Sequence, residues 1–321
     1  MRPRAYAISL MALAAIMFSG IVAANVALDP QLMLGTRLIG EWRLPNDRYR
    51  ALQTYLDEPN RYDGLRFGSS RAPAIRIEQI SRDMEGARFA DFAVYGGQIP
   101  DHLTVLEYVV RQTTALKGNK IRAVFLLLDL DLFVVPTIGN SAMHTLWHPA
   151  VTGETRVRFM WRYLTAIQFQ AWRTAFRSAW MPGQAGHQPA QALGIAAQPA
   201  TLPAKPMNRI TVLPAFERQI AMLRRFVEIC SSNDIQLVVA LSPLHRSNAA
   251  RYEPSDLDRA VQRVGEVVPV WDFESPDWLS GRPDLWHDLS HFTADVGDMM
   301  LDLIFSRPAA RADFGRRRSG L

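Results

Sequence analysis

Asp63-Gly64-Leu65-Arg66-Phe67-Gly68-Ser69-Ser70-Arg71 is a short extended run that ends in small residues. It is followed by Ala72-Pro73-Ala74-Ile75-Arg76-Ile77, where proline stands at a position that the first turn of a helix tolerates. The two serines therefore lie on a predicted turn from strand to helix. Such a turn exposes a hydroxyl group at the carboxyl edge of a sheet, beside backbone N–H groups at the start of a helix. The stretch suits a nucleophilic serine, although a serine that only caps the helix is the simpler interpretation of this stretch alone.

Strands and helices alternate along the chain after this turn. The predicted strands comprise residues 65–67, 87–94, 121–130, 235–241 and 267–273. The predicted helices comprise residues 100–116, 215–231 and 293–305, together with one that ends near Met84. Residues 121–130 are apolar nearly throughout, which is typical of a strand buried on both faces. This alternation predicts a three-layer α/β/α domain with a parallel sheet.

Polar and small residues follow several of the predicted strands. In open α/β sheets, binding sites lie outside the carboxyl ends of the strands. The residues that follow the predicted strands should therefore lie along one edge of the sheet: Ser69, Ser70, Gly96, Gly97, Asp129, Asp131, Pro243 and His245. We expect a functional site at this edge.

Residues 1–28 are predicted to be an N-terminal transmembrane helix. Residues 5–28 carry no charge and are long enough to cross a bilayer, whose core takes about 20 residues. Arg2 and Arg4 precede this run and Asp29 follows it, which places the N-terminus in the cytoplasm. An uncleaved, single-pass anchor is the favoured interpretation, and a cleaved signal peptide is the alternative. The rest of the chain is then extracytoplasmic, in the periplasm where the cell has two membranes.

The remaining chain divides into a connector, a domain and a tail. Residues 29–60 are predicted to be a membrane-proximal connector, with a helix over residues 47–56. Residues 61–306 form the predicted α/β domain, and residues 307–321 are predicted to be a basic, disordered tail.

The alternating pattern is interrupted by an insertion at about residues 140–209. Its first part, residues 154–180, is rich in arginine and aromatic residues and is predicted to be helical. It could pack on the sheet, cover the site or lie on the membrane surface, and packing on the sheet is the simplest of these. Residues 181–207 are rich in Ala, Pro, Gln and Gly and predict a mobile loop.

Composition excludes some function classes. The chain has 321 residues and a net charge of +5, but no basic stripe interleaved with aromatics, so we expect no nucleic-acid partner. The single cysteine, Cys230, excludes an intrachain disulfide. The absence of a CxxC pair and of an HExxH motif argues against a zinc site, and we expect no metal and no cofactor.

A second polar motif, Trp286-His287-Asp288-Leu289-Ser290-His291-Phe292, stands just before the last predicted helix. An aspartate three residues ahead of a histidine can orient the imidazole through Nδ1. The candidate serine lies after the first strand of the domain and this pair opens its last helix. In a doubly wound domain these two places can meet at one edge of the sheet.

These motifs, in this order, resemble the SGNH (GDSL-like) hydrolase superfamily, over roughly residues 61–306. The closer resemblance is to membrane-anchored members that act as O-acyltransferases or esterases on envelope polymers, such as the alginate acetylation proteins and the D-alanyl transfer protein of teichoic acid synthesis. Gly68-Ser69-Ser70 resembles the nucleophile block, Gly96-Gly97 the glycine block and Asp288-Leu289-Ser290-His291 the Asp-x-x-His block. The usual Gly-x-Asn-Asp block is replaced by Leu128-Asp129-Leu130-Asp131, and an aspartate cannot donate to an oxyanion.

The resemblance implies serine-dependent acyl transfer or hydrolysis, with acetyl as the expected group, on an extracytoplasmic polysaccharide or envelope glycan. Ser70 is the implied nucleophile, His291 the general base and Asp288 the residue that orients it. Gly97 would supply an oxyanion-hole N–H, and weaker candidates for substrate contact are Ser69, Asp129 and His245. The implied partners are an acyl donor, a glycan acceptor and a multi-span membrane acyltransferase. The alternative is a non-catalytic SGNH-like module that binds or assembles a polysaccharide export complex.

Overall fold

The computed structural model describes residues 3–36, 46–116, 120–133, 147–169, 172–173, 176, 211–273, 277–307 and 313–320. The chain divides into two compact units. The helical unit comprises Met1–Arg50 and Gly139–Ala196, and the sheet unit comprises Ala51–Ile138 and Ala197–Leu321. The predicted loop over residues 181–207 lies outside the described residues.

A six-stranded sheet organises the sheet unit. Its strands are β1 (Gly64–Gly68), β2 (Phe89–Ala93), β3 (Ala123–Leu128), β4 (Gln236–Leu241), β5 (Val270–Asp272) and β6 (Arg316–Arg318). The strand order is β2-β1-β3-β4-β5-β6. The first five strands run parallel, and β6 pairs antiparallel with β5. The prediction of an α/β fold built on a parallel sheet is confirmed.

Helices connect the parallel strands. Among the described residues, the helices used below are, in chain order, α1 (Pro3–Leu28), α2 (Asp47–Asp57), α3 (Ile77–Asp83), α4 (Ile99–Leu116), α5 (Pro149–Thr152), α6 (Arg156–Thr165), α7 (Pro214–Ser232), α8 (Arg246–Ala249), α9 (Pro254–Gly265), α10 (Asp277–Ser280) and α11 (Ala294–Ile304). α7 begins with Pro214, and its buried residues recur every three or four positions, as in Phe216, Ile220 and Leu223. The same spacing buries one side of α11.

The sheet is covered on both faces, which is consistent with a three-layer α/β/α arrangement. All six residues of β3 are buried. Side chains alternate across a strand, so Ala123, Phe125 and Leu127 join one core, together with residues of α3 and α11. On the other face, Phe67 of β1 packs edge-on against Phe226 of α7, with ring centroids 5.5 Å apart. A sheet buried on both sides explains why these strands lack an apolar-polar alternation.

The prediction of a disordered tail after residue 306 is wrong for the last described residues. β6 adds an antiparallel strand to the edge of the sheet, in which Trp271 pairs with Arg317. Phe314, just before β6, is buried against Phe273 and Trp278, with centroid distances of 5.0 and 5.6 Å. The side chains of Arg316 and Arg318 bond the carboxylate of Asp272. The positive charges of β6 therefore balance the negative charge of the buried Asp272 carboxylate.

The helical unit contains the long apolar helix α1 and the described part of the insertion. α1 is long and apolar enough to cross a membrane, and its apolar stretch is not buried in the protein. α6 follows the N-cap Thr155, whose hydroxyl accepts a hydrogen bond from the Arg158 N–H. The predicted helix over residues 154–180 is interrupted, because α6 ends at Thr165 and Ala166 adopts an extended conformation.

Candidate active site

Ser70 and His291 meet at the carboxyl end of β1. The Ser70 Oγ lies 2.9 Å from the His291 Nε2, although 221 positions separate the two residues in the chain. The chain leaves β1 for β2 on one side and then for β3 on the other, so this is the point at which the strand order reverses. Crevices in open α/β sheets form at such points.

Asp288 holds the other side of the imidazole. The His291 Nδ1 lies 2.8 Å from the Asp288 Oδ2 and 3.0 Å from the Oδ1. An ionised carboxylate only accepts hydrogen bonds, so Nδ1 carries the proton. Nε2 is then an acceptor facing the Ser70 hydroxyl, which is the tautomer that a general base requires.

The Asp288 carboxylate is stabilised by donors on its own loop. Oδ1 accepts the backbone N–H of Ser290 at 2.7 Å and that of His291 at 2.8 Å. Burial by itself would raise the pKa of Asp288, but the hydrogen bonds from these two amides and from the His291 ring outweigh it. The pKa of Asp288 therefore lies below its ordinary value. The residue is ionised at neutral pH and keeps the ring oriented.

The turn that carries Ser70 is tighter than expected. A side chain at Gly68 would bring a Cβ to 2.6 Å from the Ala72 Cβ, so the close passage of the chain requires glycine. Ala72–Ala74 forms a single 3₁₀ turn, and the α-helix begins only at Ile77. A three-residue turn has little dipole, so it gives Ser70 little of the stabilisation of negative charge that the N-terminus of a long helix would give.

Gly97 reaches this edge but does not have a free amide. A Cβ on it would lie 2.8 Å from the Gly68 oxygen, which shows how closely the loop after β2 approaches the end of β1. However, the Gly97 N–H donates to the Val94 oxygen at 2.9 Å. The structure therefore does not support Gly97 as an oxyanion donor. Within the described part of the chain, the Ser70 N–H has no hydrogen-bond partner. The neighbouring Gln98 side chain is buried, and its Oε1 has no partner there either.

Ser69 and Asp129, predicted as weak substrate contacts, both have partners within the protein. The Ser69 Oγ is buried and accepts the Arg71 N–H at 3.2 Å. Asp129 is 4% exposed, accepts a hydrogen bond from the Ser242 hydroxyl and pairs with Arg71. A carboxylate engaged in this way has little surface to offer a ligand.

Arg71 links the serine turn to the end of β3 and to the histidine loop, and it was not singled out from the sequence. Its Nη1 and Nη2 bond the two carboxylate oxygens of Asp131 at 2.7 and 2.8 Å, and Nη1 lies 3.2 Å from the Asp129 Oδ1. Its Nε donates to the Ser290 oxygen at 2.8 Å, one residue before His291. Burial by itself would lower the pKa of Arg71, but Asp129 and Asp131 outweigh it and hold the pKa above its ordinary value.

This network ties the serine turn to the histidine loop. The side chain of Arg71 is 6% exposed, so it can be charged there only with these partners. An arginine directly after the two serines, with Asp-x-Asp at the end of a buried strand, was the available sequence signal. The pairing itself depends on the adjacency of β1 and β3.

His245 has a local role beside the histidine loop. Its Nδ1 accepts the Ser247 N–H at 3.2 Å, which caps the short helix α8. Its ring meets Trp286 edge-on, with centroids 5.1 Å apart. Burial, together with the neighbouring Arg246, lowers the pKa of His245. In α8, Asn248 donates to the Leu289 oxygen at 2.7 Å and so supports the loop that presents His291.

The chain offers no other assembled chemistry in its described part. Within residues that the structure describes, no cluster of three or more His, Cys, Asp or Glu side chains could hold a metal ion. Comparison with models of known protein families and with curated protein sequences finds no match to this chain. The proposal of function therefore stands on the geometry around Ser70 and on the resemblance of the motifs.

Proposed function

We propose that the protein transfers or hydrolyses an acyl ester through Ser70, with His291 as general base and Asp288 as its orienting residue. One observation carries the proposal: the continuous hydrogen-bonded chain from the Ser70 Oγ through the His291 imidazole to the Asp288 carboxylate. A nucleophile, its base and the group that orients the base are the recognisable parts of a hydrolase triad on any fold.

The reaction follows from the position of the protons. The His291 Nε2 takes the Ser70 proton as the Ser70 Oγ bonds the acyl carbonyl carbon, and the carbonyl oxygen becomes negative. When the tetrahedral intermediate collapses, His291 returns the proton to the leaving alkoxide, and the acyl group stays on Ser70. His291 then takes a proton from the incoming hydroxyl of an acceptor or of water. That oxygen bonds the acyl carbon, the bond between the acyl carbon and the Ser70 Oγ breaks, and His291 returns the proton to the Ser70 Oγ.

The oxyanion is held in part by the Ser70 backbone N–H, which has no other partner within the described residues. Mutational data on other enzymes give one such donor a value of about 2.7–4 kcal/mol in the transition state. Asp129 stands where the SGNH superfamily, which the motifs resemble, has an asparagine that donates to the oxyanion. In this chain the Asp129 carboxylate is turned to Arg71. Arg71, which also pairs with Asp131, thereby offsets part of the negative charge that would otherwise repel the oxyanion.

The substrate class follows from the proposed location. The helix α1 is suited to anchor the chain, and the charges around it favour an extracytoplasmic domain at the inner membrane. We propose a polysaccharide or envelope glycan as acceptor and an acetyl group as the acyl unit. The donor would come from a multi-span membrane acyltransferase.

A fluorophosphonate probe tests the chemistry, because it reacts only with an activated serine. The full chain in detergent should be labelled, and Ser70→Ala should abolish labelling. Ser69→Ala is the matched control and should retain labelling, since the Ser69 hydroxyl only accepts the Arg71 N–H. His291→Ala should reduce the labelling rate severely, and Asp288→Asn should reduce it less. Loss of labelling in Ser69→Ala alone would shift the nucleophile by one residue.

A non-catalytic binding or assembly module is the second candidate function. It is favoured by the engaged Gly97 amide and by Asp129 in place of an asparagine donor. If the wild-type chain remains unlabelled where a known serine esterase reacts, this second function replaces the first.

A further inference from the structure

Exposed apolar side chains are concentrated in two places within the described part of the chain. Apart from Tyr95 and Val212, the exposed large apolar residues all lie on α1 or within residues 157–176 of the insertion. The second group, called here the interfacial segment, comprises Val157, Trp161, Ile167, Phe169 and Phe176. Val157 is 82% exposed and Phe169 is 73% exposed. Apolar residues clustered in this way mark a surface that is covered by a partner or a membrane.

The helix α6 has one side that packs against the protein and an opposite side that is apolar and exposed. Phe159 and Tyr163 are buried, whereas Val157 and Trp161 are exposed. Both pairs are four residues apart, so each forms a stripe along the helix. The helix therefore has apolar residues on its outer side as well as on its inner side. Contacts within the protein leave most of this outer stripe exposed.

The interfacial segment is attached to the end of α1. The Asn25 side-chain amide donates to the oxygens of Leu164 and Ala166, both at 2.8 Å. The Trp172 indole donates in return to the Asn25 Oδ1 at 2.8 Å. The Tyr163 hydroxyl also donates to the buried carboxylate of Asp29, at 2.7 Å. These bonds satisfy polar groups where α1 ends and hold α6 at the level of that end.

Trp161 extends from this level along α1. Its ring packs against Phe18, with centroids 5.7 Å apart. At 1.5 Å of rise per residue, Phe18 lies about 10 Å before Asn25 along the helix axis. Phe18 belongs to the uncharged part of α1, so Trp161 reaches the level of that apolar part. Tryptophan and tyrosine favour the boundary between lipid chains and water, because each combines a large apolar ring with one polar group.

Arginines accompany the apolar residues. Arg156, Arg158 and Arg173 are exposed, and each has a long side chain that can reach toward lipid phosphates. The Arg158 Nε also lies 3.4 Å from the Glu154 Oε1, but its side chain is 79% exposed. Arg162 is less exposed, because it bonds Glu154 and lies over the Phe159 ring at 5.8 Å. Apolar rings beside exposed cations are the composition that binds the surface of an anionic bilayer.

We propose that the interfacial segment lies in the outer boundary of the bilayer that α1 crosses. Its apolar side chains enter the acyl-chain region, and Arg156, Arg158 and Arg173 meet the phosphates of anionic phospholipids. The helical unit is thus held by two contacts with the same membrane. The proposal rests on α1 as a membrane anchor and is independent of the chemistry at Ser70.

Fluorescent labels on single cysteines test the location. The full chain carries an environment-sensitive label at Val157→Cys or Ile167→Cys and is reconstituted in vesicles of phosphatidylcholine and phosphatidylglycerol. Cys230 does not interfere, because it is buried and burial raises the pKa of its thiol to about 12. Both substituted positions are exposed, so the variants should fold. Lipids with a nitroxide on the acyl chain should quench both labels more strongly than aqueous iodide does, because an interfacial helix buries its apolar face at the boundary of headgroups and acyl chains.

Two control positions make the outcome decisive. A label at Leu13→Cys, within α1, should be quenched by the nitroxide lipid. A label at Val212→Cys, an exposed valine of the sheet unit, should be quenched by iodide. If the labels at 157 and 167 behave like that at 212 while the Leu13 label meets lipid, the interfacial location is wrong. If the Leu13 label is also reached only by iodide, the anchor is wrong and the proposal falls with it.

Discussion

At the scale of single residues, Asp288 should make the stability of the protein depend on acidity. Its pKa is lowered in the folded chain because hydrogen bonds to the carboxylate outweigh burial. A group with a depressed folded pKa stabilises the fold above its unfolded pKa, and this contribution is lost as the pH falls through the folded pKa. We therefore expect the ionised carboxylate to stabilise the folded protein at neutral pH. This stabilisation should decline as the pH falls below 3.8, the ordinary pKa of an aspartate.

The comparison with Asp288→Asn isolates this effect, because asparagine does not titrate. The quantity to follow is the difference in the free energy of unfolding between wild type and variant. It should shift against the wild type below the ordinary aspartate value of 3.8. Urea unfolding in detergent at a series of pH values measures it. A difference that does not change on acidification would show that the Asp288 pKa is not depressed.

Arg71 is the residue whose loss should cost most stability near the site. Arg71→Met leaves the buried Asp129 carboxylate without its cation, and breaking one side of a buried ion pair costs about 3–5 kcal/mol. The matched control is Arg282→Met, which removes an exposed arginine from Asp284 and should leave the free energy of unfolding unchanged. Chemical denaturation measures the free energy of unfolding of both variants. Equal, small effects in both variants would contradict a structural role for Arg71.

Arg71 should also affect labelling of Ser70, through the Ser290 oxygen that it holds. Arg71→Lys keeps a cation but cannot bond both Asp131 oxygens and the Ser290 oxygen with the same planar group. The histidine loop then loses one of its fixed points. This effect separates positioning of His291 from simple neutralisation of charge.

At the scale of elements, β6 should be a stabilising part of the sheet unit. Phe314→Ala removes a ring that is 2% exposed and packs between Phe273 and Trp278. Replacing a buried phenylalanine by alanine costs about 3–5 kcal/mol. Arg317→Ala, on an exposed side chain of the same strand, should have no measurable effect. Thermal or urea unfolding of both variants decides whether the C-terminal residues belong to the fold.

At the scale of the whole molecule, the chain should be a single-pass membrane protein with its sheet unit outside the cytoplasm. It should remain in the membrane fraction after washing with high salt, because apolar contacts of α1 are insensitive to ionic strength. A C-terminal alkaline phosphatase fusion should be active in a bacterial host. The same fusion without residues 2–28 should be inactive. Release of a mature chain that begins near residues 25–30 would instead show a cleaved signal.

Hydrophobic periodicity and composition were sufficient to predict the local elements. β3 and β4 lie within the predicted apolar runs, and α4, α7 and α11 agree with their predictions to within about a residue at each end. The apolar length of α1 depends only on its own residues. These features could be predicted because each is a property of one contiguous segment.

The prediction failed where a segment is stabilised by a distant partner. β6 has three arginines and no strand pattern of its own, and it is ordered by pairing with β5 and by the buried ring of Phe314. Gly97 was expected to donate to an oxyanion because Gly96-Gly97 resembles a glycine block, but the turn directs its amide to the Val94 oxygen. The described insertion residues pack on the end of α1 rather than continuing as one helix.

The alternation of strands and helices, the apolar helix α1, the serine turn and the Asp-x-x-His motif can all be read from the order of the residues. The distance of 2.9 Å between Ser70 and His291, and the bonds by which Arg71 joins both of their loops to the end of β3, exist only in the folded chain. The reason is physical. Local conformation follows from neighbouring residues, whereas the distance between two loops depends on how all the intervening strands and helices pack.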